Sequence, residues 1–145
     1  RTMVSREMYV GGGTPTSLSL EHLHLLTDML QSDVPLERGA EYTFEAHPAT
    51  LTQEKLDRLA ARGVNRISMG VESFDNQALE LCGRVGYTRD DVPIVLEMIR
   101  CAGITNVNID MITTSEIRIS CVIQEAQVAE AVRLLHRGFE LDEEA

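Results

Sequence analysis

Apolar positions along the chain switch between a period of two and a period near 3.6, and the switches mark alternating strands and helices. MYVGGGTPT (8–16) is a short apolar run stopped by three glycines. From Ser19, a suitable N-cap, Leu20, Leu23, Leu26 (or His24) and Leu30 fall at helical spacing. EYTFEA (41–46) alternates as a strand does and stops at Pro48. Thr52 then caps a helix through Leu59 to Arg62, with Leu51 and Leu56 spaced as a hydrophobic staple and Gly63 free to close it with positive φ. VNRISMGV (64–71) reads as a strand, followed by a shorter helix over about 75–81. A firmer helix begins between Thr88 and Asp91 and ends at Gly103; Pro93 fits only its first turn, which favours Asp91 as the cap. ITNVNIDMI (104–112) is the next strand. This order predicts right-handed βαβ units and a mostly parallel sheet.

After Ile112 the pattern changes. Ile117, Ile119, Cys121 and Ile123 alternate with Arg118, Ser120 and Val122, as in a strand with one wet face. Only Thr113 to Glu116 separate it from the strand before, too few residues for a parallel crossover, so an antiparallel hairpin follows. A last helix over about 125–138 lines up Val128, Val132, Leu135 and Phe139, and the acidic LDEEA end frays.

Composition narrows the class. The 145 residues are 43% hydrophobic and 25% charged, as in one ordinary globular domain. No apolar run approaches a bilayer span, and the first ten residues lack the layout of a signal peptide, so neither a membrane protein nor a secreted one is expected. A net charge of −10 argues against a nucleic-acid partner. Lys55 is the single lysine among thirteen basic residues. Cys82, Cys101 and Cys121 are too few and too scattered for a disulfide framework or zinc knuckle, which points to the cytoplasm and to small core side chains.

Candidate chemistry gathers where strands end. Gly11-Gly12-Gly13-Thr14, Glu45, Glu72 and Asp110 close four successive strands, and sites in parallel α/β proteins form at that rim. The glycines bare the main chain to a ligand's polar group. The three carboxylates suit an ammonium, hydroxyls or a divalent cation; strand-end acids and glycine turns are equally common as structural devices. His22 and His24 point to different sides of their helix, His47 follows a strand end and either faces the rim or, the commoner case, is a solvated loop residue, and His136 falls on a surface helix.

YVGGGTPTSLSLEHLHLL, YTFEAHPATLTQEKLDRLAARGVNRISMGVESFD and AGITNVNIDMI together resemble the radical S-adenosylmethionine (SAM) enzymes of the oxygen-independent coproporphyrinogen III oxidase family, which includes the related haem chaperones. The resemblance covers about 9–112. It implies an open partial (βα) barrel around a [4Fe–4S] cluster and SAM. By position, Gly12, Gly13 and Thr14 would contact the methionyl end of SAM, with Glu45 in the same site. Glu72 stands where the family has Gln, and Arg84 and Asp110 match further cofactor-contacting positions, Asp110 at the ribose.

Two departures qualify this. The CxxxCxxC motif that precedes GGGTP in the family is absent, since no cysteine occurs before Cys82. After NIDMI the chain reads TTSEIRISCVI…AVRLLHRGFELDEEA, which resembles the C-terminal ACT domain of aspartokinases over about 108–145. The two resemblances together imply a chimera: a radical SAM core fragment over 1–112 and an ACT-like half-module over 108–145, packed on one sheet. The expected fold class is α/β, a partial (βα) barrel-like, mostly parallel sheet ending in an antiparallel hairpin and helix. The expected function is a fragment that keeps SAM contacts from Gly12, Gly13, Thr14, Glu45, Glu72, Arg84 and Asp110 but lacks the cluster's cysteines and is catalytically inactive as given. The alternatives are an ACT-type regulatory module that forms a homodimer, and a scaffold without ligand. A parent carrying the cysteines upstream of Arg1 would be an oxidoreductase or chaperone of haem synthesis.

Overall fold

The computed structural model describes residues 4–81, 86–114 and 117–124. Arg84, Cys82 and the helix expected over 125–138 lie outside them, as do His136 and the acidic end. The elements run β1 (Ser5–Val10), α1 (Leu20–Asp33), β2 (Leu36–Ala46), α2 (Gln53–Ala61), β3 (Arg66–Glu72), α3 (Asn76–Leu81), α4 (Asp91–Cys101), β4 (Asn106–Thr114) and β5 (Ile117–Gln124). The strands form one sheet in chain order, β1 to β4 parallel and β5 antiparallel to β4. Parallel neighbours in chain order, each joined through a helix, give the wall of a (βα) barrel rather than a doubly wound sheet.

Helix starts follow the side chains. Ser19 accepts from the His22 N–H and Thr52 from the Lys55 N–H, each satisfying a donor that the first turn leaves over. Gly63 and Gly103 take φ of 89° and 84° and turn α2 and α4 into the next strands. At α4 the cap position is Asp90, which makes no side-chain cap bond. Asp91 instead reaches back to the Thr88 N–H and hydroxyl, at 2.7 and 2.9 Å.

The strands are two-faced. Tyr42, Phe44, Ile67, Met69, Val71, Val107, Ile109 and Met111 share one phase and are buried with Leu23, Leu56, Leu59, Val92 and Ile99 of the helices. On that side α1 packs on α2, and α2 on α4. The opposite phase is polar throughout. Tyr9, Thr43, Arg66 and Asn106 form one cross-strand row, and Glu45, Ser68 and Asn108 the next; Gly70 and Asp110 stand beside each other beyond it.

Candidate functional site

The strand ends build a small cleft of about 110 Å³ lined by Thr14, Glu45, Ala46, His47, Ser68, Gly70, Glu72 and Asp110. Four of the residues marked in the sequence therefore meet: Thr14, Glu45, Glu72 and Asp110.

Glu45 is held at both oxygens. The Tyr9 hydroxyl donates to Oε1 at 2.7 Å, and the Gly12 N–H donates to Oε2 at 2.9 Å. Partial burial first, and then the Glu45 carboxylate, raise the Tyr9 phenol above its ordinary pKa, which keeps it a donor at neutral pH. Gly11 leaves room for this arrangement, because a Cβ there would lie 2.6 Å from Glu45 Cδ. Gly12, Gly13 and Thr14 follow with φ of 87°, 84° and 58°, three left-handed residues in succession. Two are the residue type that tolerates this. Thr14 is β-branched and strained there, at a cost of about 1–3 kcal/mol.

Asp110 lies in a second network. Ser68 Oγ donates to its Oδ2 at 3.2 Å, and Asn108 Nδ2 donates to its Oδ1 at 3.0 Å and to Ser68 Oγ at 3.1 Å. Glu72 is 2% exposed with φ of 68°. The β3–β4 register shifts between Gly70 and Glu72, and this irregularity sets the carboxylate beside Gly70, whose added Cβ would lie 3.2 Å from Glu72 Oε1.

Two turns frame the cleft, Pro15–Ser17 after the glycines and Pro48–Thr50 after β2. Thr16 and Thr50 join through their hydroxyls at 2.7 Å. Lys55 donates across both turns, to the Thr16 carbonyl at 2.6 Å and the Thr50 carbonyl at 3.0 Å. The chain's single lysine is thus a clamp behind the cleft.

Some sequence readings change here. His47 is not a solvated loop residue. It lines the cleft, its Nδ1 accepts from the Ala49 N–H, and its ring meets Tyr87 edge-on at 5.0 Å. Cys101 is exposed at the end of α4, not a core side chain. Among the described residues no group of three His, Cys, Asp or Glu side chains is placed to hold a metal ion. Tyr9, Ser68 and Asn108 were missed in the sequence. Their signal was the polar phase of three alternating strands: Tyr9 and Gly11; Arg66, Ser68, Gly70 and Glu72; Asn106, Asn108 and Asp110. No helix among the described residues is long and apolar enough to cross a membrane.

This chain is similar to known proteins over about three quarters of its length. The heme chaperone HemW of Bacillus subtilis is 41% identical over 107 residues, 73% of this chain and 28% of that protein. The oxygen-independent coproporphyrinogen III oxidase of Paracoccus denitrificans is 33% identical, over 72% of this chain and 23% of its own length. Among solved structures, the coproporphyrinogen III oxidase HemN of Escherichia coli, described as a radical SAM enzyme, superposes with a TM-score of 0.66 at 32% identity, covering 73% of this chain and 24% of that one. The Elp3 protein of Methanocaldococcus infernus shares the fold at 18% identity and a TM-score of 0.55, over 72% and 28% of the two chains. The chain spans about a quarter of the length of the curated relatives it matches. The ACT domain family matches residues 94–139, beginning inside α4 and so before the 108 at which the aspartokinase resemblance starts.

Proposed function

Since HemW and oxygen-independent coproporphyrinogen III oxidases are homologues of this chain over about three quarters of its length, we propose that the strand-end cleft binds the polar end of S-adenosylmethionine. One observation carries the reading: among the described residues three carboxylates line the cleft and no Lys or Arg does. SAM presents a sulfonium, an α-ammonium and ribose hydroxyls, all of which carboxylates attract or accept from. At about 110 Å³ the cleft lies well below the roughly 300 Å³ of the smallest ordinary ligand pockets, and suits one end of such a molecule, the rest lying over the polar sheet face.

The residues present fit SAM in kind. Glu45 stays aimed because Tyr9 and Gly12 fix its oxygens, and Asp110 accepts from hydroxyls while Ser68 and Asn108 hold it in place. Gly12, Gly13 and Thr14 offer main chain with little side-chain cover to the carboxylate end. When bound beside a reduced iron–sulfur cluster, SAM supplies radical chemistry. These residues do not fit that cluster: no cysteine precedes Cys82, and Cys101 lies at the end of α4 on the opposite rim. The reading is therefore cofactor binding without cleavage by these 145 residues. Titration calorimetry of the chain with SAM tests it. Saturable heat that Glu45→Gln weakens about tenfold, the weight of one charged hydrogen bond, is the expected result; no heat at millimolar SAM overturns it.

The ACT family match favours a second reading. The match takes in most of α4 with β4 and β5, and among the described residues β5 stands at the edge of the sheet, where a copy of the chain can pair. Sedimentation velocity should then show a homodimer; a monomer at high concentration removes this reading.

A further inference from the structure

His47 joins two parts of the frame around the strand-end cleft. It follows β2 directly and caps the turn Pro48–Thr50, its Nδ1 accepting from the Ala49 N–H at 3.3 Å. A main-chain N–H can only donate, so Nδ1 carries no proton and the ring is the neutral tautomer with its proton on Nε2. An imidazolium donates from both nitrogens and cannot make this bond. The same ring meets Tyr87 edge-on at 5.0 Å, and the Tyr87 hydroxyl donates to the Val71 carbonyl, one residue before Glu72.

The capped turn also holds the glycine loop. The His47 N–H donates to Thr16 Oγ1 at 3.4 Å, and the Thr16 and Thr50 hydroxyls pair at 2.7 Å. The Thr50 hydroxyl and N–H both donate to the His47 carbonyl, each at 2.9 Å. Thr16 is fully buried and follows the left-handed Gly12, Gly13 and Thr14 closely, so turn and loop form one bonded unit. Charged groups approach this unit from several elements. Glu45, Glu72 and Asp110 line the cleft from β2, β3 and β4, and Lys55 of α2 backs the turn. Helix α4 packs on the turn too and opens with Asp91, which is bonded to Thr88. The carboxylates and the ammonium act on the ring's charge with opposite signs. Lysine ammonium groups keep their charge through the acid range, so among the side chains bonded within the unit the imidazole is the one that changes state there.

We propose that His47 is a positioning residue that works as an acid-sensitive latch: neutral, it holds the turn and the glycine loop in the geometry that forms the cleft; protonated, it releases Ala49 and loosens both. The bond is present above the pH at which the ring takes its second proton, ordinarily about 6.5, and is lost below it. The consequence for a ligand rests on the SAM reading: binding should weaken as pH falls. In ¹⁵N-labelled full chain without ligand, NMR follows amide exchange at Ala49 and Thr50, with His47→Asn measured at each pH so that the intrinsic pH dependence cancels. Asparagine places Oδ1 where Nδ1 stood and accepts without titrating. Protection in the two chains should match at about pH 7.5, and the parent should be about threefold to tenfold less protected at about pH 5.5, with the midpoint of the His47 ring protons. Calorimetry should show SAM affinity falling by a similar factor between these pH values in the parent and less than about twofold in His47→Asn. Protection that ignores the His47 midpoint overturns the proposal, and so does SAM binding as acid-sensitive in His47→Asn as in the parent. Acid-released amides without SAM heat at either pH support the latch and remove the SAM reading alone.

Discussion

The Tyr9 hydroxyl, on the strand beside that of Glu45, donates to Glu45 Oε1 at 2.7 Å and points this carboxylate across the strand ends. The Gly12 N–H takes the other oxygen, so neither rotation about the last side-chain bond nor withdrawal toward solvent is free.

Tyr9→Phe removes one of the two restraints and leaves the charge. Tyr9 is 58% exposed, so thermal stability should hardly change. SAM affinity should fall about threefold to tenfold, the range for a charge-assisted bond near the surface, measured by the same calorimetry as Glu45→Gln. A Tyr9→Phe chain that binds as tightly as the parent would show that Glu45 needs no positioning.

Gly11→Ala and Gly12→Ala should separate space from backbone. At Gly11 the new methyl meets Glu45 and Tyr9 at 2.6 and 2.7 Å, so Glu45 must leave its place and SAM binding should be lost while the chain still folds. At Gly12 nothing lies within 4 Å, but φ is 87°, and the cost is about 1–2 kcal/mol of stability with Glu45 left in place. Thermal melts beside calorimetry read both; the reverse pattern would contradict the geometry.

Tyr42 gives the fold an alkaline limit. Its pKa rises from 10.0 to about 12 on folding because the hydroxyl is buried. The folded state therefore holds its proton where the unfolded state has lost it. The contribution is complete below about pH 10 and is lost as pH climbs toward 12, about 2–3 kcal/mol in all. Urea midpoints for the chain and for Tyr42→Phe, taken at about pH 8, below both values, and at about pH 11, between them, provide the check. The parent should lose stability over this interval and the variant markedly less.

Lys55→Met should loosen the frame of the cleft. The ammonium bonds the Thr16 and Thr50 carbonyls, and methionine keeps the stem but none of the donors. Stability should drop by about 1–3 kcal/mol. Hydrogen exchange should quicken at the Thr50 N–H, which closes the turn on the His47 carbonyl, before it quickens in β3. Uniform acceleration would place the clamp in the global fold instead.

Much of this was legible in the chain because helix ends and strand phases are local. Ser19, Thr52, Gly63 and Gly103 behave as their residue types dictate, and the short gap after β4 forced an antiparallel β5. The convergence of Thr14, Glu45, Glu72 and Asp110 followed from parallel strands sharing one finishing edge. What stayed hidden depends on contacts between distant segments. Nothing near His47 announces Tyr87, and no local pattern tells that Lys55 reaches Thr16. The start of β2 was missed for a similar reason: Leu36 to Ala40 contains Glu, Arg and Gly, poor strand formers alone, and the segment extends because β1 pairs with it at Ser5 and Leu36 across an irregularity.

The two faces of β3 have an evolutionary corollary. Ile67, Met69 and Val71 hold the helices, while Ser68, Gly70 and Glu72, the residues between and after them, belong to the cleft. An insertion or deletion of one residue would exchange the two sets, burying Ser68 under the helices and turning Met69 toward the ligand. Substitutions on the polar phase can drift without threatening the scaffold, and those on the apolar phase without retuning recognition. Length changes inside the strand have no such latitude, so this segment should diversify by replacement alone.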